Sequence, residues 1–175
     1  MPLPVAHSLL GASLVAAIHP EPTKRYFIPL LAGAFLANAP DFDFALVFVL
    51  RSRAWHRGFS HSIIFALIVG LTFVLFLGRR HIREAIAYGA AFASHAVLDY
   101  VTTKEGGGVE LLWPFSTVRL GFGWVGLSEL PSRMTPMEVI ASLVLEVIFF
   151  TPLLLLAIGV RKYVGKSASA AEGAI

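Results

Sequence analysis

Imidazole and carboxylate side chains recur along this chain in a pattern suited to holding a divalent metal ion. His95 and Asp99 are four residues apart, so on a helix they project from one face about one turn from each other. A pair placed in this way can bind one ion together. Upstream stand His7, the two carboxylates Asp41 and Asp43 after Pro40, and His56 and His61 on either side of Arg57. Zinc takes imidazole and carboxylate donors, and a catalytic zinc keeps one position open for water. Four histidines and three aspartates exceed one such site. A second ion about 3.5 to 4 Å away, bridged by a carboxylate, uses the surplus and suits phosphoester displacement. The expected ligands are therefore His7, Asp41, His56, His61, His95 and Asp99, around one or two divalent ions, with zinc the expected metal. An aspartate not fully engaged by metal orients water as a base, and Asp43 is assigned that role. Arg57 is suited to hold a phosphate oxygen.

Each of these residues also has a plainer use. A single histidine or aspartate in a membrane bundle can hydrogen-bond a neighbouring helix or line an ion path. His95 with Asp99 can be a structural ion pair. Asp41 and Asp43 can cap the segment after Pro40, although two carboxylates at one cap exceed that need. His19 and His81, beside Pro20 and Arg80, read as solvated loop residues outside the site. Glu146, midway along the last apolar run, is uncharged, paired across the bundle, or a contributor to the site, and pairing is the preferred reading.

The elements that must position these groups are set by an unusually apolar chain. Of its 175 residues 57% are hydrophobic and 14% charged, with a mean hydropathy of +0.75; soluble domains are roughly half apolar and a quarter charged. The expected fold is all-α, an integral membrane bundle of four to five short helices with one re-entrant or interfacial segment. With no cysteine, disulfides, thiolate metal sites and cysteine nucleophiles are excluded, so any metal sits on nitrogen and oxygen. The net charge of +3 comes from 14 Lys and Arg placed mostly at the ends of apolar runs. That is a topology signal, and no nucleic-acid partner is expected. No Lys or Arg precedes the first apolar stretch, so the first helix is expected to remain in the mature protein.

Polar punctuation divides the apolar runs. The first, Val5 to Ile18, ends at His19-Pro20-Glu21-Pro22, and the second runs from Tyr26 to Asn38, where Ala39-Pro40-Asp41 interrupts it. At 1.5 Å per residue each reaches only about 20 Å, so it stops at a thinned region or a water-filled cavity. Phe42 to Leu50 is apolar but too short to span and reads as the re-entrant or interfacial piece. Ser60 is expected to cap a span from His61 to Gly78. The next helix, Ile82 to Thr103, is rich in Ala and Ser and is expected at the bundle centre. Residues 104–136 form a long loop, with Trp113, Phe115, Phe122 and Trp124 as a lid or interfacial anchor, and Met137 to Val160 is the last span. Residues 1–160 are expected as one membrane-embedded domain and 161–175 as a disordered tail. Alternating helix direction carries all seven His and Asp candidates to one edge of the bilayer. Arg79, Arg80, Arg83, Arg161 and Lys162 crowd the other, so the site is expected on the non-cytoplasmic side of a cell membrane.

The strings APDFDF at 39–44, HRGFSHS at 56–62, HAVLDY at 95–100 and LLWPFS at 111–116, in that order, resemble the YdjM-like family. That family comprises inner-membrane proteins classed with metal-dependent hydrolases and carrying a LexA-binding label. The resemblance covers about residues 5–118, and it implies that His7, Asp41, Asp43, His56, His61, His95 and Asp99 are the family's polar motif positions. The order His, Asp, His, then His-x-x-x-Asp is also similar to the zinc-dependent phospholipase C and P1 nuclease fold, an all-helical metal phosphoesterase. That likeness implies phosphodiester hydrolysis, with His7, Asp41, one of His56 or His61, His95 and Asp99 as ligands and Asp99 as the bridge. This chain departs from it in having no histidine after His95, where those enzymes continue with a His-x-x-x-Glu pair. A trinuclear cluster is therefore not expected unless Glu110 or Glu129 substitutes. The expected function is a membrane-embedded metal-dependent hydrolase, of phosphoesterase type, acting on a lipid or lipid-linked phosphate that arrives from the bilayer. A small ion or proton transporter using the same groups and a membrane scaffold for a regulatory partner are the competing classes.

Overall fold

Pro4 has no backbone N–H and a fixed φ, which suits it to the first position of a helix. From it α1 runs over Pro4–Ile18, stopping ahead of Pro20. The computed structural model describes residues 2–20, 27–103, 107–123 and 135–172, with side chains as far as residue 165. Along it follow α2 (Phe27–Leu36), α3 (Phe44–Leu50), α4 (Ile63–Leu77), α5 (Ile82–Thr102) and α6 (Pro136–Glu172). Tight 3₁₀ turns at Ala39–Asp43, Arg53–Trp55 and Phe59–His61 join α2 to α3 and α3 to α4. Among the described residues there is no strand, only an antiparallel bridge between Val109 and Leu120. Trp124 and Glu129 lie outside the described residues.

The helix ends differ from the expected ones for local reasons. α2 stops at Leu36 because Asn38 folds back, its Nδ2 donating to the Ala34 carbonyl and to Ser8 Oγ on α1, each at 2.8 Å. Ser62, not Ser60, caps α4: its Oγ accepts from the Phe65 N–H at 3.0 Å, and Ser60 is left in the preceding 3₁₀ turn. α6 continues past Val160, where a tail is expected, and its backbone stays helical to Glu172.

By length and composition α6 is long and apolar enough to cross a membrane over Pro136–Gly165. Two bent pairs pass the same test when each is taken together, Phe27–Leu36 with Ala39–Leu50 at 46° and Arg53–His61 with Ile63–Leu77 at 53°. The apolar stretch expected to be re-entrant forms α3, the second limb of the first bent pair, a geometry shared by a broken span and a re-entrant loop. Large apolar side chains such as Leu75 and Phe76 on α4 and Leu155 and Leu156 on α6 are exposed, a face that suits hydrocarbon and not water.

The interior is built from small residues. α1 packs against α2, α5 and α6, and α4 packs on α5. Val15 meets Ala87 and Ala91 between α1 and α5, and Ala6 meets Leu98 and Phe150 nearer the other end. A Cβ on Gly11 would stand 2.4 Å from the Gly33 carbonyl oxygen, so α1 and α2 approach at backbone distance. His19, read from the sequence as solvated, is buried under α5, with the Tyr88 hydroxyl 3.3 Å from its Nε2. This burial comes from tertiary packing against α5, which the neighbouring Pro20 does not encode. His81 does lie at the surface, hydrogen-bonded to Glu84.

α6 holds α1 at both ends. The N-cap position of α1 is Leu3, which has no side-chain acceptor of its own. Glu146, fully buried on α6, accepts from the Leu3 N–H with one oxygen and from the Ala6 N–H with the other. A capping box satisfies the same two positions, N-cap and N3, with two side chains of the helix itself; here one carboxylate from a neighbouring helix does both. At the far end Arg161 donates to the Ala16 carbonyl at 3.1 Å, so α1 and α6 run parallel with charges that complement the α1 dipole. Glu146 is paired across the bundle, as preferred from the sequence.

Candidate metal centre

The seven His and Asp candidates come from five places that the bends bring to one end of the bundle. His7 stands in the second turn of α1, Asp41 and Asp43 in the 3₁₀ turn after α2, His56 between two turns, His61 just before α4, and His95 and Asp99 late on α5. His7, His61, His95 and Asp99 are fully buried, and Asp41 keeps 19% of its side chain open. His7 and His95 stack with ring centroids 3.9 Å apart, and His61 meets His95 edge-on at 4.7 Å.

The three shorter separations between these donor atoms, 3.4 to 3.6 Å, fit a shared cation better than hydrogen bonds. Asp41 Oδ1 lies 3.4 Å from His95 Nε2 and 3.6 Å from His61 Nε2. Asp99 Oδ1 lies 3.4 Å from His7 Nε2, and Asp99 Oδ2 lies 3.8 Å from His61 Nε2 and 3.9 Å from His95 Nε2. Hydrogen bonds to nitrogen cluster at about 2.7 to 3.2 Å. Donors about 2.0 to 2.2 Å from a tetrahedral zinc stand roughly 3.3 to 3.6 Å from one another. Accordingly Asp41 Oδ1, Asp99 Oδ1 and Oδ2, and the Nε2 atoms of His7, His61 and His95 are buried without a hydrogen-bond partner among the described residues. Buried polar atoms are ordinarily paired, so six orphans facing one another mark a place for a ligand. His7–His95–Asp99 and Asp41–His61–His95 each form a set of three donors close enough for one ion. Both sets use the same Nε2 of His95, because its Nδ1 faces the Ala37 carbonyl at 2.6 Å. They are two halves of one cup.

Around the cup lies a ring of ordinary hydrogen bonds. Asp43 Oδ1 sits 2.8 Å from His56 Nδ1, and its Oδ2 accepts from the Arg57 N–H at 3.0 Å and from Ser60 Oγ at 2.7 Å. Ser60 Oγ is 2.9 Å from His61 Nδ1, which turns the other nitrogen of that ring toward the cup. His56 leans outward onto Phe44, ring centroids 3.8 Å apart, with Asp43 between it and the buried donors. Of the two histidines left open as ligands, His61 faces the cup. Asp41, Asp43 and His56 are near enough to form a third donor set, but its contact between Asp43 and His56 is already a normal hydrogen bond.

Arg57 is buried with φ at 60°, a left-handed conformation uncommon for a side-chain-bearing residue. Its N–H is held by Asp43 and its carbonyl accepts from Glu110 N–H at 3.0 Å, and its Nε lies 3.5 Å from Asp99 Oδ2. Glu110 itself pairs with Arg119 at 3.4 Å and stays out of the cup. The aromatic segment of the long connection packs loosely over this region, Trp113 against Phe59 at 5.9 Å, while Phe115 is exposed. Sequence reasoning missed Ser60 as an orienting group and the Ala37 carbonyl as the anchor of His95. The spacing of HRGFSHS places Ser60 beside His61, but a serine there reads equally well as a helix cap.

Fold and donor set define the class, a helical membrane protein with a histidine and aspartate cup buried at one end of its bundle. The chain belongs to the YdjM inner membrane protein family, whose model matches residues 1–167. That match takes in α6, beyond the 5–118 stretch covered by the motifs. The chain is also similar to the inner membrane protein YbcI of Escherichia coli (strain K12), 38% identical over 114 residues that make up 61% of this chain. The matched part spans 65% of that relative, a little under two-thirds of its length. No solved structure matches the chain. Both names say inner membrane and neither states a reaction.

Proposed function

We propose that this protein is a membrane-embedded, metal-dependent hydrolase that cleaves a phosphoester of a lipid or lipid-linked substrate at the bilayer surface. The observation that carries the reading is the set of six buried donor atoms on His7, Asp41, His61, His95 and Asp99 that face one another unpaired. Leaving such groups unsatisfied in a low-dielectric interior is costly, and a divalent cation satisfies them together. One or two zinc ions bound there supply Lewis-acid chemistry.

The residues of the chain then divide the work. His7, Asp41, His61, His95 and Asp99 hold the metal, and the Ala37 carbonyl and Ser60 fix the rings of His95 and His61. Asp43, expected as the base, has both oxygens engaged and orients Ser60, His56 and the Arg57 backbone in the manner of an outer-shell carboxylate. The base role passes to Asp41, the most open carboxylate of the cup. Arg57 balances Asp99 and holds a phosphate oxygen. A substrate anchored in the bilayer brings its phosphate to this depth without leaving the membrane. A transport path would need polar groups through the full depth of the bundle, and Glu146 stands at the cup end, already engaged with the start of α1.

The test uses detergent-purified protein, with bound metal read by mass spectrometry and phosphate release followed from phosphatidic acid and from an isoprenoid phosphate. The expected result is bound zinc and release that stops on chelation and returns with added metal. Release indifferent to chelators defeats the reading, and ion flux in proteoliposomes without hydrolysis replaces it with transport.

A further inference from the structure

Between α4 and α5 lies a cavity of about 590 Å³ that no part of the proposed chemistry uses. Its walls are almost wholly apolar, with Ala66 and Leu71 on α4 facing Ala90 and Ala93 on α5. The two helices come to backbone distance at Gly70 and Gly89, where a Cβ on Gly89 would stand 3.0 Å from Gly70 Cα. One end of the cavity is at Ser62 and Ala96, the neighbours in sequence of the cup residues His61 and His95, and the other is at Val74. From Ser62 to Val74 a helix rises about 18 Å. The hydrocarbon of one leaflet is about 15 Å deep, half of a core of about 30 Å.

We infer that this groove binds a single acyl chain of a membrane phospholipid, lying along α4 and α5 with its head-group end at the metal cup. The match of length to one leaflet favours an acyl chain over a longer polyprenyl chain. Exposed side chains on both rims, among them Leu67 and Val97, open the groove sideways to the bilayer. Chain entry therefore needs no helix to move. The inference deepens the hydrolase reading and rests on it for the orientation of the head group, whereas the chain site itself rests on the groove.

The probe is phosphatidic acid carrying a photoactivatable diazirine in its acyl chain, diluted into phosphatidylcholine vesicles that hold the full-length protein stripped of metal. Cross-linked peptides are mapped by mass spectrometry. Wild-type protein should be labelled along the groove about tenfold above the outer face of α6 around Leu155, equivalent to about 1.4 kcal/mol. Ala93→Trp and Ala66→Trp, which fill the groove from facing walls, should each remove that excess and leave the α6 labelling and the metal uptake unchanged. No excess in wild type overturns the inference, as does undiminished labelling in both variants. A dimer that buries α4 and α5 and comes apart in the variants also overturns it, by assigning the groove to a second copy of the chain. Groove labelling without phosphate release under any metal keeps the chain site and removes the hydrolase; release without groove labelling does the reverse.

Discussion

Replacing Glu146 with alanine should loosen the bundle at the end where the cup sits. Because α1 opens at Pro4, the N–H groups of Leu3 and Ala6 are among its first free donors, and both are taken by this one carboxylate from α6. Hydrogen bonds to charged groups contribute about 1.5 to 3 kcal/mol, and a lost cap costs about 1 kcal/mol. The Ala6 N–H keeps a second acceptor in the Leu3 carbonyl at 3.1 Å, so its loss is partial. The sum expected for Glu146→Ala is about 2 to 4 kcal/mol. Glu146→Gln keeps one acceptor oxygen and turns an NH₂ donor toward the other N–H, so it should fall between the alanine variant and wild type. The assay is reversible denaturant unfolding in one detergent, read by tryptophan fluorescence, with bound metal measured on the same samples. Since His7 follows Ala6 directly, metal affinity should weaken in the same order as stability. An alanine variant within about 0.5 kcal/mol of wild type, the range of an inconsequential surface change, would refute the view that α6 sets the start of α1.

Asp99→Asn keeps the volume of a buried side chain but removes its charge, so metal affinity should fall by more than about a hundredfold, beyond the range of outer-shell changes; competition with a chromogenic chelator measures it, and full affinity would contradict the cup. Ser60→Ala frees the Nδ1 side of His61 and should weaken metal binding by about ten to a hundredfold with the ligands intact; calorimetric titration checks it. Gly11→Val drives a side chain into the Gly33 carbonyl and should destabilise the bundle by about 1 to 3 kcal/mol in the same unfolding assay. Acidification should release the metal, because protons compete for imidazole and carboxylate donors; an affinity independent of pH would count against histidine ligation.

Much of the cup was legible because its residues are costly in an apolar chain and so stand out. His95 and Asp99 share a helical face by spacing alone, and alternating helix direction carries His7, Asp41 and His61 to the same edge. The division of roles among them was not legible. Asp41 and Asp43 are two residues apart in one 3₁₀ turn, and only the packing of that turn turns Asp43 toward His56 and Ser60 and Asp41 toward His61 and His95. His56 and His61 are equivalent on paper; the left-handed turn at Arg57 separates them. Ser62 takes the capping part expected of Ser60 because a 3₁₀ turn delays the start of α4 by two residues.

By itself, composition determined that the chain would fold as apolar helices with no thiol chemistry, because hydrophobic burial and residue type act without reference to partners. Periodicity and the placement of prolines determined where those helices break, since steric limits on the backbone are local. Tertiary structure decided which nitrogen of each histidine faces inward, that a carboxylate on α6 starts α1, and that His19 is covered. Those outcomes depend on contacts between residues as much as 143 positions apart, and no local preference encodes which distant group will arrive.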